Sequence, residues 1–295
     1  MDQLRRLEQE VEALKASVAQ LQQEIQALRQ EQALRAHPVE EALGQRGLPV
    51  FFHGDQSQII FPPDFSSLQK ERFYRLMRRY SFRLFLRELI QAPEGSDWRA
   101  LNRYCSLKTV RSYMKELSHM NIVELLPDFG YRLRSSPIPS FGPTLEWYVC
   151  EIFRREFLAP ALFNIRLRQT RFGGDYDVIS IVAGYLVYVE VKSSPPRGVE
   201  SPAVIAFLNR IRDLQPHMAI FLVDTELRMK DKMVPLFEEA FEREHRNPEE
   251  WKAKRLVNEI FQIRHAIYLI NSRKGIYSNL RHCFRDFLSG ERKIS

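Results

Sequence analysis

The sequence predicts an α/β fold, a mixed sheet flanked by helices, on three observations. Two short apolar runs, 177–183 and 185–191, are rich in β-branched and aromatic residues and are parted by Gly184, the pattern of a tight hairpin. A helical stripe of Leu145, Tyr148, Val149, Ile152 and Phe153 precedes them, and a helix and a further apolar run follow, so that helix, three strands, helix and strand succeed one another. The first 30 residues instead repeat apolar positions every seven, which marks a coil standing outside the sheet.

In that coil Leu4, Val11, Val18 and Ile25 occupy one seam and Leu7, Leu14, Leu21 and Leu28 the other. β-Branched residues at most a positions with leucine at every d favour a parallel two-stranded coil, and Glu10 with Lys15 and Glu24 with Arg29 fall on facing g and e positions. Residues 1–35 are therefore expected to form a dimeric coiled coil, with a homodimer made through 1–30. Residues 36–69 read as a linker. Breakers stand at Ala36-His37-Pro38, Gly44 to Gly47 and Pro62-Pro63-Asp64, and Val50 to Phe61 is expected to fold into a small hairpin around Gly54-Asp55.

Residues 70–138 read as a winged helix. A long basic helix covers Glu71 to Gln91, Asp97 caps a short second helix, and Ser106 caps a third from Leu107 to about Met120. Val110, Met114 and Leu117 face inward there, leaving Lys108, Arg111, Ser112 and Lys115 outward. Ile122 to Leu126 and Tyr131 to Arg134 form the wing around Pro127-Asp-Phe-Gly130. A helix, a turn and a second helix with basic outward positions suit a major groove, so Lys108, Arg111, Lys115, Arg132 and Arg134 are candidate nucleic-acid contacts. Such modules also contact proteins, and fold alone does not choose.

Residues 139–295 supply the sheet. Its first helix begins near Gly142-Pro143-Thr144 with Thr144 as N-cap. Asn164 to Arg171 gives the first strand, then come the hairpin, a helix from about Pro202 to Leu214 and the strand His217 to Asp224. A helical insertion over 228–262, with helices at 228–244 and 248–262, leads to a strand from His265 to Ile270 that extends the sheet and a last helix from about Tyr277 to Leu288. Ser272-Arg273-Lys274-Gly275 enters that helix, where amides and the two cations suit a phosphate.

The chemistry gathers at the open end of the hairpin. With Ala183-Gly184 as a two-residue turn, Val182 pairs with Tyr185, which puts Asp177 opposite Glu190 and Asp175 opposite Lys192. Directly opposed residues have β-carbons ~5 Å apart, and like charges there repel. Glu190 and Lys192 share a face because strand side chains alternate. Glu146, in the first turn of the preceding helix, lies at the edge of its apolar stripe and can reach the same place. A few hard oxygen ligands with waters filling the rest suit Mg²⁺ or Mn²⁺. Such an ion activates water and stabilises charge on a phosphoryl oxygen, while the lysine positions the nucleophile or stabilises the transition state. The alternative is a solvated hairpin end holding an ion-paired Asp-Glu-Lys cluster.

Across about 142–225 these residues resemble the PD-(D/E)XK nuclease superfamily. Gly142-x-x-Leu-Glu146, then Asp175-Tyr-Asp177-Val, then Val-Glu190-Val191-Lys192-Ser look most like the nuclease half of CRISPR-accessory CARF nucleases, and are similar to the nuclease-like tail of some prokaryotic ATPases. The resemblance implies a restriction-endonuclease-like fold in which Asp177, Glu190 and the Val191 carbonyl ligate Mg²⁺ or Mn²⁺. It further implies that Lys192 acts on the attacking water, that Glu146 supports a metal or its waters, and that Asp175 is accessory. No nucleotide-sensing Rossmann-like domain is read ahead of this stretch, so activation by a cyclic oligonucleotide is not implied.

Charge agrees with a polyanionic partner. The chain holds 44 Lys/Arg against 37 Asp/Glu, a net +7, and residues 70–134 alone carry 14 against 7. Residues 251–295 carry 10 against 3, and in both regions arginine is mixed with aromatic residues. The three cysteines, Cys105, Cys150 and Cys283, are too few and too scattered for a disulfide framework or a zinc box, which fits a reducing cytoplasm. No apolar run approaches the ~18 residues of a membrane span, and the charged heptadic start is not a signal peptide. The expectation is a homodimeric, Mg²⁺- or Mn²⁺-dependent endonuclease acting on nucleic acid, duplex DNA before RNA, with a further protein partner left open. Its rivals are a non-catalytic dimeric DNA-binding or scaffold protein with a degenerate nuclease fold, and an RNA-directed nuclease of a defence or mobile-element system.

Overall fold

The computed structural model describes residues 11–24, 37–62, 64–135, 137–243 and 248–291. Residues 11–24 are helical (α1), with Val11, Leu14, Val18 and Leu21 all exposed along it. The remaining heptad positions, together with Glu10 and Arg29, lie outside the described residues. Lys15 reaches Glu12 on its own helix at 2.8 Å.

Eight strands build one sheet, in the order β1 (Val50–His53), β4 (Ala161–Leu167), β5 (Asp175–Val182), β6 (Tyr185–Lys192), β7 (Met218–Val223), β10 (Ile267–Asn271), β9 (Ile260–Ile263) and β8 (Lys254–Val257). β6, β7 and β10 run parallel and the other neighbours antiparallel. β7 is buried along its whole length, as a continuous apolar run predicts for a central parallel strand. Helices cover both faces. α6 (Gly142–Glu156) and α9 (Ile276–Glu291) lie in one layer, and α2 (Pro38–Gln45), α7 (Ser201–Leu214) and α8 (Met233–Glu242) in the other.

The N-terminal helical module joins the first of these layers. α3 (Ser67–Met77), α4 (Tyr80–Gln91), α5 (Leu107–His119) and the hairpin β2 (Val123–Leu125)–β3 (Tyr131–Leu133) share one apolar core with α6 and the sheet, through Phe61, Phe65, Phe73 and Trp147. A buried ion pair ties them further. Arg83 of α4 sends Nη2 to Asp224, just past β7, at 2.8 Å, and both side chains are sealed from solvent. The Ser272 hydroxyl also donates to Asp224, and Arg83 Nη1 donates to the Met77 carbonyl at 2.6 Å.

Several expectations need correction. The stretch 36–69 is not a bare linker: α2 buries Val39 and Leu43 against the sheet, and β1 pairs with β4 instead of folding back on 54–61. The helix expected over 71–91 is two helices, broken at Arg78-Arg79, where Arg79 takes extended backbone ahead of α4. The short second helix of the module is one 3-10 turn, Trp98–Ala100, and there Asp97 does cap, accepting from the Arg99 amide at 2.8 Å. Ser106 caps α5 as expected. Thr144 caps nothing. The helix already starts at Gly142, and the Thr144 hydroxyl is used inside the core to accept the Ile60 amide at 3.1 Å. The helix expected over 248–262 is instead the strand pair β8–β9, which closes the far edge of the sheet.

Candidate active site at the open end of the hairpin

The hairpin has the expected register, Val182 with Tyr185 through Val178 with Val189. Ala183 and Gly184 both take positive φ, 51° and 84°, which is the turn geometry that matches the twist of paired strands. Beyond Val178 the alternation of β5 breaks. Val178 faces the α6 layer, yet Tyr176, two residues earlier, faces the α7 layer. β4 breaks at the same level, where Asn164 adopts φ 49° and the pairing passes from Phe163–Val178 to Ile165–Tyr176. The double kink frees Asp177 from the ladder. Its Oδ2 accepts the Val191 amide at 2.7 Å, an amide a continuing ladder would give to a main-chain carbonyl.

Asp175, expected opposite Lys192, is turned the other way. It pairs across the sheet with Arg166 and holds that guanidinium in an ion pair. Glu190 and Lys192 do share a face and touch, Nζ to Oε1 at 2.6 Å. Glu190 is sealed, and its other oxygen accepts from Arg210 Nη1 at 3.0 Å and from the Tyr188 hydroxyl. The sequence reading missed Arg210. Its signal was a charged residue on the flank of the α7 apolar stripe, three residues after Phe207 and four before Leu214, both buried. Space for it is made at Gly174, where a β-carbon would sit 3.2 Å from Arg210 Nη2 and the backbone holds φ +100°.

The electrostatics are those of carboxylates crowded into poor solvent. Burial, then Glu190 and Glu146, push the Asp177 carboxyl well above its usual range, against Lys192 and the Val191 amide. Burial and Glu190 likewise push Glu146 up to about 7, with Asp175 adding to the effect and Lys192 opposing it. Burial works against the Lys192 ammonium, but Glu190 and Asp177 together hold it above its ordinary value, so it stays charged. Glu190 thus acts on both Asp177 and Glu146.

The donors there are all oxygen, which suits Mg²⁺ or Mn²⁺ and not zinc. Among the described residues no three His, Cys, Asp or Glu side chains are gathered as a metal-holding set. The oxygen groups there are the Asp177, Glu190 and Glu146 carboxylates and the Val191 carbonyl, and both Glu190 oxygens are engaged by Lys192, Arg210 and Tyr188.

The candidate nucleic-acid residues stand on other elements. Lys108, Arg111, Ser112 and Lys115 stand exposed along α5 while Val110, Met114 and Leu117 are buried, and Arg132 and Arg134 are exposed on and just after β3. Arg273 and Lys274 are exposed in the loop after β10. That loop stands at the same sheet end as Lys192, because β6, β7 and β10 are parallel, and the Asp224 amide donates to the Lys192 carbonyl at 2.8 Å. Among the described residues no helix is long and apolar enough to cross a membrane.

No protein-family model matches the sequence, and no curated protein does. Among solved structures, the chain is similar to Can2 from Sulfobacillus thermosulfidooxidans, solved in complex with cyclic tetra-adenylate, at 12% identity and a TM-score of 0.41, covering 83% of this chain and 61% of that one. It is also similar to protein VC1899 from Vibrio cholerae, at 18% identity and a TM-score of 0.40, covering 65% of this chain and 53% of that one. The chain spans less than two thirds of either structure, and at these scores neither likeness bears on its chemistry.

Proposed function

We infer that the chain is a metal-dependent nuclease that hydrolyses phosphodiester bonds of nucleic acid, duplex DNA before RNA. One observation carries this reading: sealed Glu190 holds the Lys192 ammonium at 2.6 Å and, together with burial, raises the Asp177 and Glu146 carboxyls. Carboxyls shifted by burial and a specific charge partner mark a candidate functional site. Asp177, Glu190 and the Val191 carbonyl would hold Mg²⁺ or Mn²⁺, and Glu146 would support it. The ion, when bound, lowers the pKa of water and neutralises charge on the phosphoryl oxygens. Lys192 stays protonated and donates toward the attacking water or the developing charge. Arg210 and Tyr188 fix the Glu190 carboxylate.

The rival, a non-catalytic binding or scaffold protein, draws on the fact that Lys192 and Arg210 already neutralise Glu190. Labelled duplex, single-stranded DNA and RNA, each incubated with the full chain and Mg²⁺, Mn²⁺ or EDTA, separate the two. Products that appear with the ions and vanish with EDTA support the nuclease; intact substrate in every arm supports the scaffold.

The exposed cations of α5 supply the grip on a duplex in this reading. Changing Lys108, Arg111 and Lys115 to Glu is expected to weaken duplex binding and to flatten its salt dependence by roughly 0.9 in log–log slope for each phosphate left without its cation. Cleavage at saturating substrate should survive, since the carboxylates stand elsewhere. An unaltered slope would make the module a structural or protein-contacting one. The exposed stripe of α1 belongs to the proposed coil. Leu14→Lys with Leu21→Lys puts charges across its d seam and is expected to halve the mass seen by light scattering. An unchanged dimer mass moves the interface to the globular body.

A further inference from the structure

β1 is an edge strand of the large sheet, kept short, preceded by Pro49 and bulged, as edge strands commonly are. At the bulge between Val50 and Phe52 two successive phenylalanines are left exposed, Phe51 at 51% and Phe52 at 39%. Each ring is matched with an arginine of the neighbouring strand or its extension. The Arg166 guanidinium lies 4.9 Å from the centre of Phe52, and that of Arg168 lies 5.5 Å from the centre of Phe51. Each half-exposed ring thus carries a guanidinium from the neighbouring strand or its extension over one face, and Arg166 is also paired with Asp175.

We propose that this edge binds single-stranded nucleic acid. Base rings stack on exposed aromatic faces whatever their sequence, and arginines beside them neutralise the phosphates between bases. A duplex keeps its base faces inside the stack and has no use for the two phenylalanines. Phe52 pairs with Arg166, which Asp175 already holds in an ion pair, so Arg168 supplies the positive charge of the edge. Binding there does not rest on the nuclease reading of the carboxylate site.

The test uses the full chain with EDTA present and reads fluorescence anisotropy of a short labelled oligothymidine and of a labelled duplex. Phe51→Ala with Phe52→Ala is expected to weaken oligothymidine binding about tenfold or more, the loss of one or two stacked bases, and to leave duplex binding within about twofold. Phe51→Tyr with Phe52→Tyr keeps the ring faces and should restore it. Unchanged oligothymidine affinity in the alanine variant, or an equal loss for duplex, overturns the proposal. So does a drop in mass by light scattering in that variant, which would make the edge a contact between copies of the chain. If the binding pattern holds while wild-type protein with Mn²⁺ leaves every substrate intact, the edge stands and the nuclease reading falls. If cleavage is present but the alanine variant binds oligothymidine normally, the edge falls alone.

Discussion

Replacing Asp177 with Asn, or Glu190 with Gln, is expected to lower cleavage by about a hundredfold or more, since each change removes a charged oxygen donor from a site with few. The two variants should part company in stability. In Asp177→Asn the amide oxygen would still accept the Val191 N–H, and the charge that repels Glu190 and Glu146 would be gone. Without divalent ion, that variant should therefore melt at or above the wild type. Glu190→Gln strips Lys192 and Arg210 of the carboxylate both of them hold, and should melt below it. The pH dependence follows from the direction of the shifts. Carboxyls raised in the folded state favour the protonated form, so stability is full at low pH and falls as the groups ionise, for Glu146 between its ordinary 4.5 and about 7. Melts at pH 5 and pH 8 should show a larger loss for wild type than for Asp177→Asn, and added Mn²⁺ should recover part of it. Near-normal turnover by either variant would remove both residues from the site.

The second large effect lies far from solvent. Arg83→Met leaves the Asp224 carboxylate in the core with only Ser272 and the more distant Arg87, at 3.4 Å, to answer it. Stranding one member of a buried pair costs about 3–5 kcal/mol. Arg83→Met with Asp224→Leu removes both charges and should recover much of that loss, because the Coulombic gain of such a pair scarcely exceeds its desolvation. Denaturant midpoints measure both. A single variant within about 1 kcal/mol of wild type would mean that water or rearrangement reaches Asp224, and the pair would then not be what joins the helical module to the sheet.

The hairpin could be read from the sequence because its determinants are local: β-branched runs, a two-residue turn with glycine, and strict alternation between them. The approach of Glu190 and Lys192 followed from period two alone. Alternation failed opposite Asn164, whose φ of 49° leaves the strand region; asparagine tolerates that conformation, but its presence alone does not place a kink. The break between α3 and α4 falls at Arg78-Arg79, with neither glycine nor proline, so tertiary packing overrode a continuous helical pattern. β8 and β9 were read as helix because charged residues spaced three or four apart imitate a helical face, and only pairing with β10 makes them strands. Arg83 and Arg210 each sit beside a buried stripe on a helix, and a cation in that place wants a carboxylate. The sequence carries the want but not the address, since Asp224 is 141 residues from Arg83.

The continuity of the core from Phe61 and Phe73 through Trp147 to the sheet has a geometric outcome for any nucleic acid the protein holds. α5 and the end of β6 cannot swing relative to one another without opening that core. Under the nuclease reading, a duplex gripped by Lys108 and Arg111 would meet the carboxylates at one set separation, so the molecule measures as well as cuts. Its products would carry that separation as a constant offset between the bound position and the cleaved bond.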